Sequence, residues 1–347
     1  MVGKWANHDF GQRMTQITRM ESAFERVIGT VRGLCQSVPH LSNMMPFRIS
    51  LVLAAVLIFA RDADAQTSAP PSPMQANVHY GAHERQVLDF YQAASNQPTP
   101  LLFFVHGGGW MNGDKANPDF LAQCLESGIS VVSINYRLIP DAVAAKSFPP
   151  VKMCLDDAAR ALQFVRSKSG DWNLDKTRIA GCGGSAGGFT SLWLAFHADM
   201  ADAKSADPIA RESTRLCCVM AFVPQTSLDP QQMQAWIPNI NYGPHAFGLP
   251  GMPEFLDRRE QLQPWIEQFS PYALLTREAP PVYLFYDSVP ALGQPYKDPP
   301  HSANFGAGLA AKLKSTGVEY EFNYPGAPDV KHPDIFGFLL EKLKGKG

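Results

Sequence analysis

One short stretch limits what this chain can fold into. Residues 177–182 form an apolar run, Gly183-Gly184-Ser185-Ala186-Gly187 follow at once, and residues 186–197 carry an apolar helical pattern. A strand that turns within a few small residues straight into a helix fits G-x-S-x-G, and it holds the apex, Ser185, in a strained backbone conformation. The positions two before and two after the apex must then lack bulk, and both are glycine. A serine hydroxyl is a poor nucleophile until a base takes its proton, so lifting it clear of a sheet gives that base access. The helix behind it turns its first free N–H groups toward developing negative charge. The same residues, Gly181-Cys182-Gly183-Gly184-Ser185-Ala186, also fit the dinucleotide fingerprint G-x-G-x-x-G/A. That fingerprint opens the first strand–helix unit of its fold and needs an acid at the end of the next strand. Here it stands in the third unit, and the next apolar run, residues 216–223, leads into Pro224 without an acid.

The rest of the chain supplies a sheet for this turn. Residues 77–80 and 86–91 alternate apolar and polar, as half-buried strands do. Residues 101–105 and 129–136 are apolar runs, expected of strands covered on both faces. Further strands are predicted over 177–182, 216–223, 282–286 and 319–324, and helices over 151–167, 186–197, 305–315 and 334–343. Strands alternating with helices predict an α/β fold with a mostly parallel central sheet covered by helices on both faces. Residues 224–280 break the rhythm with Pro, Gln, Met and Trp. They are predicted to form a cap- or lid-like insertion over the C-terminal edge of the sheet, where open α/β sheets bind ligands.

Composition removes several function classes. The net charge of −2 over 347 residues gives no basic surface for nucleic acid. No CxxC and no spaced His/Cys cluster occurs, so no metal site is expected. Of the six cysteines, Cys35, Cys124, Cys154, Cys182, Cys217 and Cys218, five follow residue 65, an odd number that leaves at least one thiol unpaired or intermolecular.

Residues 45–65 carry the three parts of a secretory signal peptide: Arg48, the apolar run 49–60 and an Ala63-Asp64-Ala65 cleavage site. Cleavage after Ala65 would give a secreted or periplasmic chain with no stable membrane insertion. It would begin with a flexible leader over 66–75, followed by one domain over 76–347. Residues 1–44 are left unassigned as an N-terminal extension, and so long a leader before a signal peptide points to a translation start at Met44 or Met45.

The turn at Ser185 has company. The run 101–105 ends in His106-Gly107-Gly108-Gly109-Trp110, a glycine loop whose backbone can direct N–H groups at an oxyanion. Gly108, Gly109 and Ala186 are the candidate donors, and His106 is read as bracing the loop. With these pieces in place, the chain resembles the α/β-hydrolase-fold esterases and lipases. The resemblance also rests on Tyr80-Gly81, Leu88-Asp89-Phe90-Tyr91, Gly113-Asp114, Asn135-Tyr136-Arg137-Leu138 and Phe148-Pro149, so it spans most of the chain after residue 76. It implies a triad in the order serine, acid, histidine. Four histidines follow Ser185: His197, His245, His301 and His332. The resemblance assigns the base to His332, on the loop between the last strand and the last helix. The acid should follow strand 282–286. Asp298, after a Pro/Gly-rich insertion and just before a helix, is preferred to Asp287 at the strand end. Asp329 is third, being only three residues from His332 on one loop. The expected activity is hydrolysis of short-chain or carbohydrate-linked acetyl esters through an acyl-enzyme, with small-molecule or polysaccharide ester substrates and no cofactor. An amidase or peptidase on the same fold, or a non-catalytic esterase-like binding protein, are the alternatives.

Overall fold

The computed structural model describes residues 71–328 and 330–344. The extension 1–44, the signal peptide expected over 45–65, the first half of the leader and Asp329 lie outside the described residues. In chain order the described elements are β1 (Gln75–His79), β2 (Val87–Tyr91), β3 (Thr99–Val105), α1 (Leu121–Glu126), β4 (Ser130–Ile134), α2 (Ile139–Ala144), α3 (Pro150–Ser167), β5 (Leu174–Gly184) and α4 (Ala186–Phe196). They continue with β6 (Cys218–Phe222), α5 (Pro230–Trp236), α6 (Met252–Asp257), α7 (Arg259–Phe269), α8 (Pro271–Leu274), β7 (Val282–Phe285), α9 (Asn304–Thr316), β8 (Tyr320–Asn323) and α10 (Ile335–Lys344).

The strands form one sheet in the order β1-β2-β4-β3-β5-β6-β7-β8. β1 and β2 are antiparallel to their neighbours, and β4 through β8 are parallel. Every residue of β3 and β4 is buried, which explains their continuous apolar runs. Two layers of core cover the sheet. One face packs α3, α4 and α9 through Leu155, Leu162, Phe189, Trp193 and Leu309. The other packs α1 and α10 through Leu121, Cys124, Phe338 and Leu339.

The sheet order places the site. From β3 the chain steps outward to β4 and then returns past β3 to β5, so the connections from the two central strands diverge. A crevice opens where they diverge, at the carboxyl ends of β3 and β5. In register, Val105 of β3 faces Gly183 of β5, so the loop after β3 and the turn after β5 stand side by side.

Residues 224–280 fold into α5 to α8. Most of their large apolar side chains serve the core: Met233, Phe247, Phe255, Leu262 and Phe269 are buried in the same cluster as α4 and β6. The five described cysteines are free, four of them buried, and burial pushes the Cys124 thiol up to about 12. Among the described residues, no helix is long and apolar enough to cross a membrane.

Candidate active site

β5 ends at Gly184 and α4 begins at Ala186, so Ser185 stands alone between strand and helix, with φ 51° and ψ −123°. A non-glycine residue there costs on the order of 1–3 kcal/mol and persists only where its surroundings over-determine it. They do so on three sides. The Ser185 N–H donates to the Phe222 carbonyl at 2.9 Å, and its own carbonyl accepts from the Phe189 N–H at 2.9 Å. The flanks press against the end of β3: a Cβ on Gly183 would lie 2.4 Å from the Val105 carbonyl oxygen, and one on Gly187 would lie 2.0 Å from the same atom. Both glycines are therefore fixed by close approach, and Ser185 is left half-buried at the crevice.

The loop after β3 is braced from below. His106 stacks on Tyr136 with ring centroids 4.4 Å apart, and the Tyr136 hydroxyl donates to the His106 carbonyl at 2.9 Å. Nδ1 of His106 lies 2.7 Å from the Gly107 carbonyl, an acceptor, so Nδ1 carries the proton. Burial lowers the His106 pKa to about 4, which keeps the ring neutral and structural at ordinary pH. Gly108 has φ 102°, and a Cβ on it would lie 2.3 Å from the Asn112 carbonyl oxygen. The Gly109 carbonyl accepts from His245 Nε2 at 3.1 Å, a contact supplied by the 224–280 segment. Trp110 is fully buried; its Nε1–H donates to Thr190 Oγ1 at 3.1 Å, and that hydroxyl donates to the Ala186 carbonyl at 2.7 Å. The glycine loop is thus tied to the first turn of α4, beside the free N–H groups that a helix start leaves.

His301 meets Ser185. His301 Nε2 lies 2.9 Å from Ser185 Oγ, and Nδ1 lies 2.8 Å from Asp298 Oδ2. An ionised carboxylate only accepts, so Nδ1–H donates to Asp298 and Nε2 keeps its lone pair for the serine proton. Local geometry explains the pairing. Asp298 precedes a 3₁₀ turn over Pro299–His301, closed by the His301 N–H donating to the Asp298 carbonyl at 3.0 Å. With three residues per turn, side chains at i and i+3 eclipse, and two prolines pre-set the backbone for such a turn. The insertion that carries Asp298 is held by two amides. Asn304 Nδ2 donates to the Trp236 and Ala291 carbonyls at 2.7 and 2.8 Å, and Asn239 Nδ2 donates to the Tyr296 carbonyl at 2.8 Å. The site is open: the side chains of His301 and Asp298 are 36% and 56% exposed.

The structure corrects the sequence reading at the base. His332 is not at Ser185. Its Nδ1 lies 2.6 Å from Glu321 Oε1 on β8, and its Nε2 lies 3.2 Å from Glu341 Oε2 on α10. Its backbone is clamped as well: the His332 N–H donates to Glu321 Oε2 at 2.8 Å, and its carbonyl accepts from the Tyr283 hydroxyl at 2.9 Å. The physical reason is that both ring nitrogens are taken up by carboxylates, so neither faces the serine hydroxyl. Glu341 stays an acceptor because Lys331 and Lys342 hold its pKa down at about 2. Asp298 is at the site, but its partner is His301 rather than His332. Asp287 is exposed at the end of β7 and bonds no side chain among the described residues. Gly108 and Gly109 lie on the loop after β3, and Ala186 opens α4 directly after Ser185. The signal for His301 was in the sequence, in Asp298-Pro299-Pro300-His301, where two prolines separate an acid from a histidine at i+3.

Among the described residues, no group of three or more His, Cys, Asp or Glu side chains could hold a metal ion. The BD-FAE family model matches residues 88–289, more than half of the chain. Carboxylesterase NlhH of Mycobacterium tuberculosis is 35% identical over 158 residues, 43% of this chain and 47% of that protein. Carboxylic ester hydrolase LipN of the same organism is 36% identical over 101 residues, 28% of this chain and 25% of that protein. The chain thus spans between a quarter and a half of the length of these two curated relatives. Its fold is shared with an acetyl ester-xyloside bifunctional hydrolase from Caldicellulosiruptor lactoaceticus, at TM-score 0.52 and 24% identity, covering 76% of this chain and 81% of that one. A truncated carbohydrate esterase from gut microbiota shares it at TM-score 0.59 and 17% identity, covering 79% of this chain and 98% of that one. The family match includes Ser185 but ends before Asp298, His301 and His332.

Proposed function

The chain belongs to the BD-FAE family, of α/β-hydrolase type, and on that footing we propose that it is a serine ester hydrolase using Ser185, His301 and Asp298. The observation that carries the proposal is the continuous line from Asp298 Oδ2 through the His301 ring to Ser185 Oγ, with contacts of 2.8 and 2.9 Å. Ser185 Oγ attacks the ester carbonyl carbon while His301 Nε2 takes its proton. The carbonyl oxygen becomes an oxyanion held by the N–H groups of Gly108, Gly109 and Ala186, where one such donor contributes roughly 2.7–4 kcal/mol to the transition state. Collapse breaks the carbon–oxygen ester bond, and the leaving alcohol takes the proton back from His301. Water then attacks the acyl-serine with His301 again as base, releasing the acid and restoring Ser185. Asp298 holds the Nδ1–H tautomer throughout and stabilises the imidazolium when it forms.

The substrates we propose are short acyl esters, acetyl above all, on a bulky or carbohydrate alcohol. The exposed Asp298 and His301 leave room for a large leaving group on their side of the serine. Similarity to carboxylesterases supports the ester bond, and the signal-like segment 45–65 supports action outside the cytoplasm. The test is hydrolysis of p-nitrophenyl acetate, butyrate and octanoate and acetate release from acetylated xylan, with intact-mass detection of the acyl-enzyme. Turnover that is lost in Ser185→Ala and falls with chain length is expected. Turnover of an anilide with none of the esters would favour an amidase, and no turnover from folded protein would favour a binding role.

A further inference from the structure

A second polar group sits beside the serine. Gln225, three residues after β6, is fully buried. Its Nε2 donates to the Pro300 carbonyl at 2.6 Å and faces Ser185 Oγ at 3.5 Å, while its Oε1 is buried without a partner among the described residues. The turn it grips has little else to hold it. Neither Pro299 nor Pro300 has an N–H to give, and the N–H groups of His301 and Ser302 are spent inside the turn, on the Asp298 and Pro299 carbonyls. Among the described residues, and beyond the turn's own backbone bonds, hydrogen bonds join residues 298–301 to other elements at two places: His301 on Ser185, and Pro300 on Gln225. The first is the reactive contact itself, so the second must set its length.

We infer that Gln225 is the positioning residue of the base. Its N–H fixes the Pro300–His301 peptide above the serine and keeps the ring within reach of Oγ. The orphaned Oε1 fits this role. A buried acceptor without a partner destabilises the fold, and an apolar side chain would fill the space without that cost. The residue is explained by what its N–H groups hold. This inference rests on the reading of His301 as the base.

The test uses Gln225→Met, which keeps the length and removes the donor, and Gln225→Glu, which keeps a donor only while protonated. Displacing a reacting group by about 1 Å costs on the order of 10²-fold in rate. Gln225→Met should therefore lose roughly 10- to 100-fold in kcat for p-nitrophenyl acetate, with KM within about threefold of wild type. In Gln225→Glu, activity relative to wild type should fall as pH rises and the donor is lost. A folded Gln225→Met with kcat within twofold of wild type overturns the inference, as does a raised KM at unchanged kcat. If Gln225→Met does not fold, the pH dependence of Gln225→Glu decides, and a ratio constant with pH overturns it. His301→Ala is measured beside them. Full activity there removes the reading of the base itself, whereas loss there with an unimpaired Gln225→Met removes only the role of Gln225.

Discussion

His301 and His332 each have carboxylate company, and the difference between them separates the proposed base from a brace. His301 has one acid at Nδ1, which leaves Nε2 facing a serine hydroxyl at 2.9 Å. His332 has an acid at each nitrogen, Glu321 and Glu341, and its backbone N–H is bound to Glu321 as well. One ring keeps a lone pair and sits a third exposed in a crevice. The other uses both nitrogens to tie β8 to α10 and packs against Phe338 at 5.8 Å. A histidine on the loop where a fold usually carries its base is thus no base unless one nitrogen is left free and aimed.

The strongest way to break this comparison is at the serine. Ser185→Ala should lower kcat by about 10⁶, as removal of a nucleophile does where triad members act as a unit, with the melting temperature little changed because alanine keeps the Cβ and therefore the same strained apex. Residual turnover above one per cent would detach the elbow from the chemistry. Next comes the acid. Asp298→Asn should cost about 10⁴ in kcat by favouring the wrong tautomer of His301, while Asp287→Asn should stay within a few-fold of wild type. The reverse ranking, in paired pH–rate profiles, would hand the role to Asp287.

Two smaller effects concern stability. His106 is held neutral by burial, with its pKa lowered to about 4, whereas an unfolded histidine titrates near 6.5. Between those values the unfolded chain binds a proton that the folded chain refuses. Stability is therefore complete above about pH 6.5 and lost as pH falls toward about 4, by up to a few kcal/mol. Denaturant midpoints across that range should fall less steeply in His106→Phe, and an unchanged slope would assign the loss to other groups. Smaller again is Glu321→Gln. It should lower the melting temperature by a few degrees through the β8–α10 clamp and leave kcat within twofold. A large loss of kcat would link the His332 cluster to the site.

Much of this arrangement can be read from residues alone, for identifiable reasons. Each of the eight strands coincides with a predicted apolar or alternating run, because burial on one or both faces writes itself into hydropathy. The elbow is legible because close approach to Val105 permits only glycine at positions 183 and 187. α1 and α2 are not legible, since six residues make less than two turns and carry no period. Nor do the Trp and Met residues of 224–280 announce which way they point, and Met233 turns out to be core. The histidine that meets Ser185 is not legible for a different reason. The resemblance places the base on the loop after the last strand, which points to His332, and no periodicity marks a three-residue turn. That turn stacks i on i+3, and Pro299-Pro300 between Asp298 and His301 is its only mark in the sequence.

The most direct test is to compare His301→Ala and His332→Ala for hydrolysis of p-nitrophenyl acetate, with circular dichroism to confirm folding. The account predicts a loss of about 10⁵–10⁶ in kcat for His301→Ala, and for His332→Ala a rate within threefold of wild type with a lowered melting temperature. An inactive but folded His332→Ala beside an active His301→Ala would contradict it.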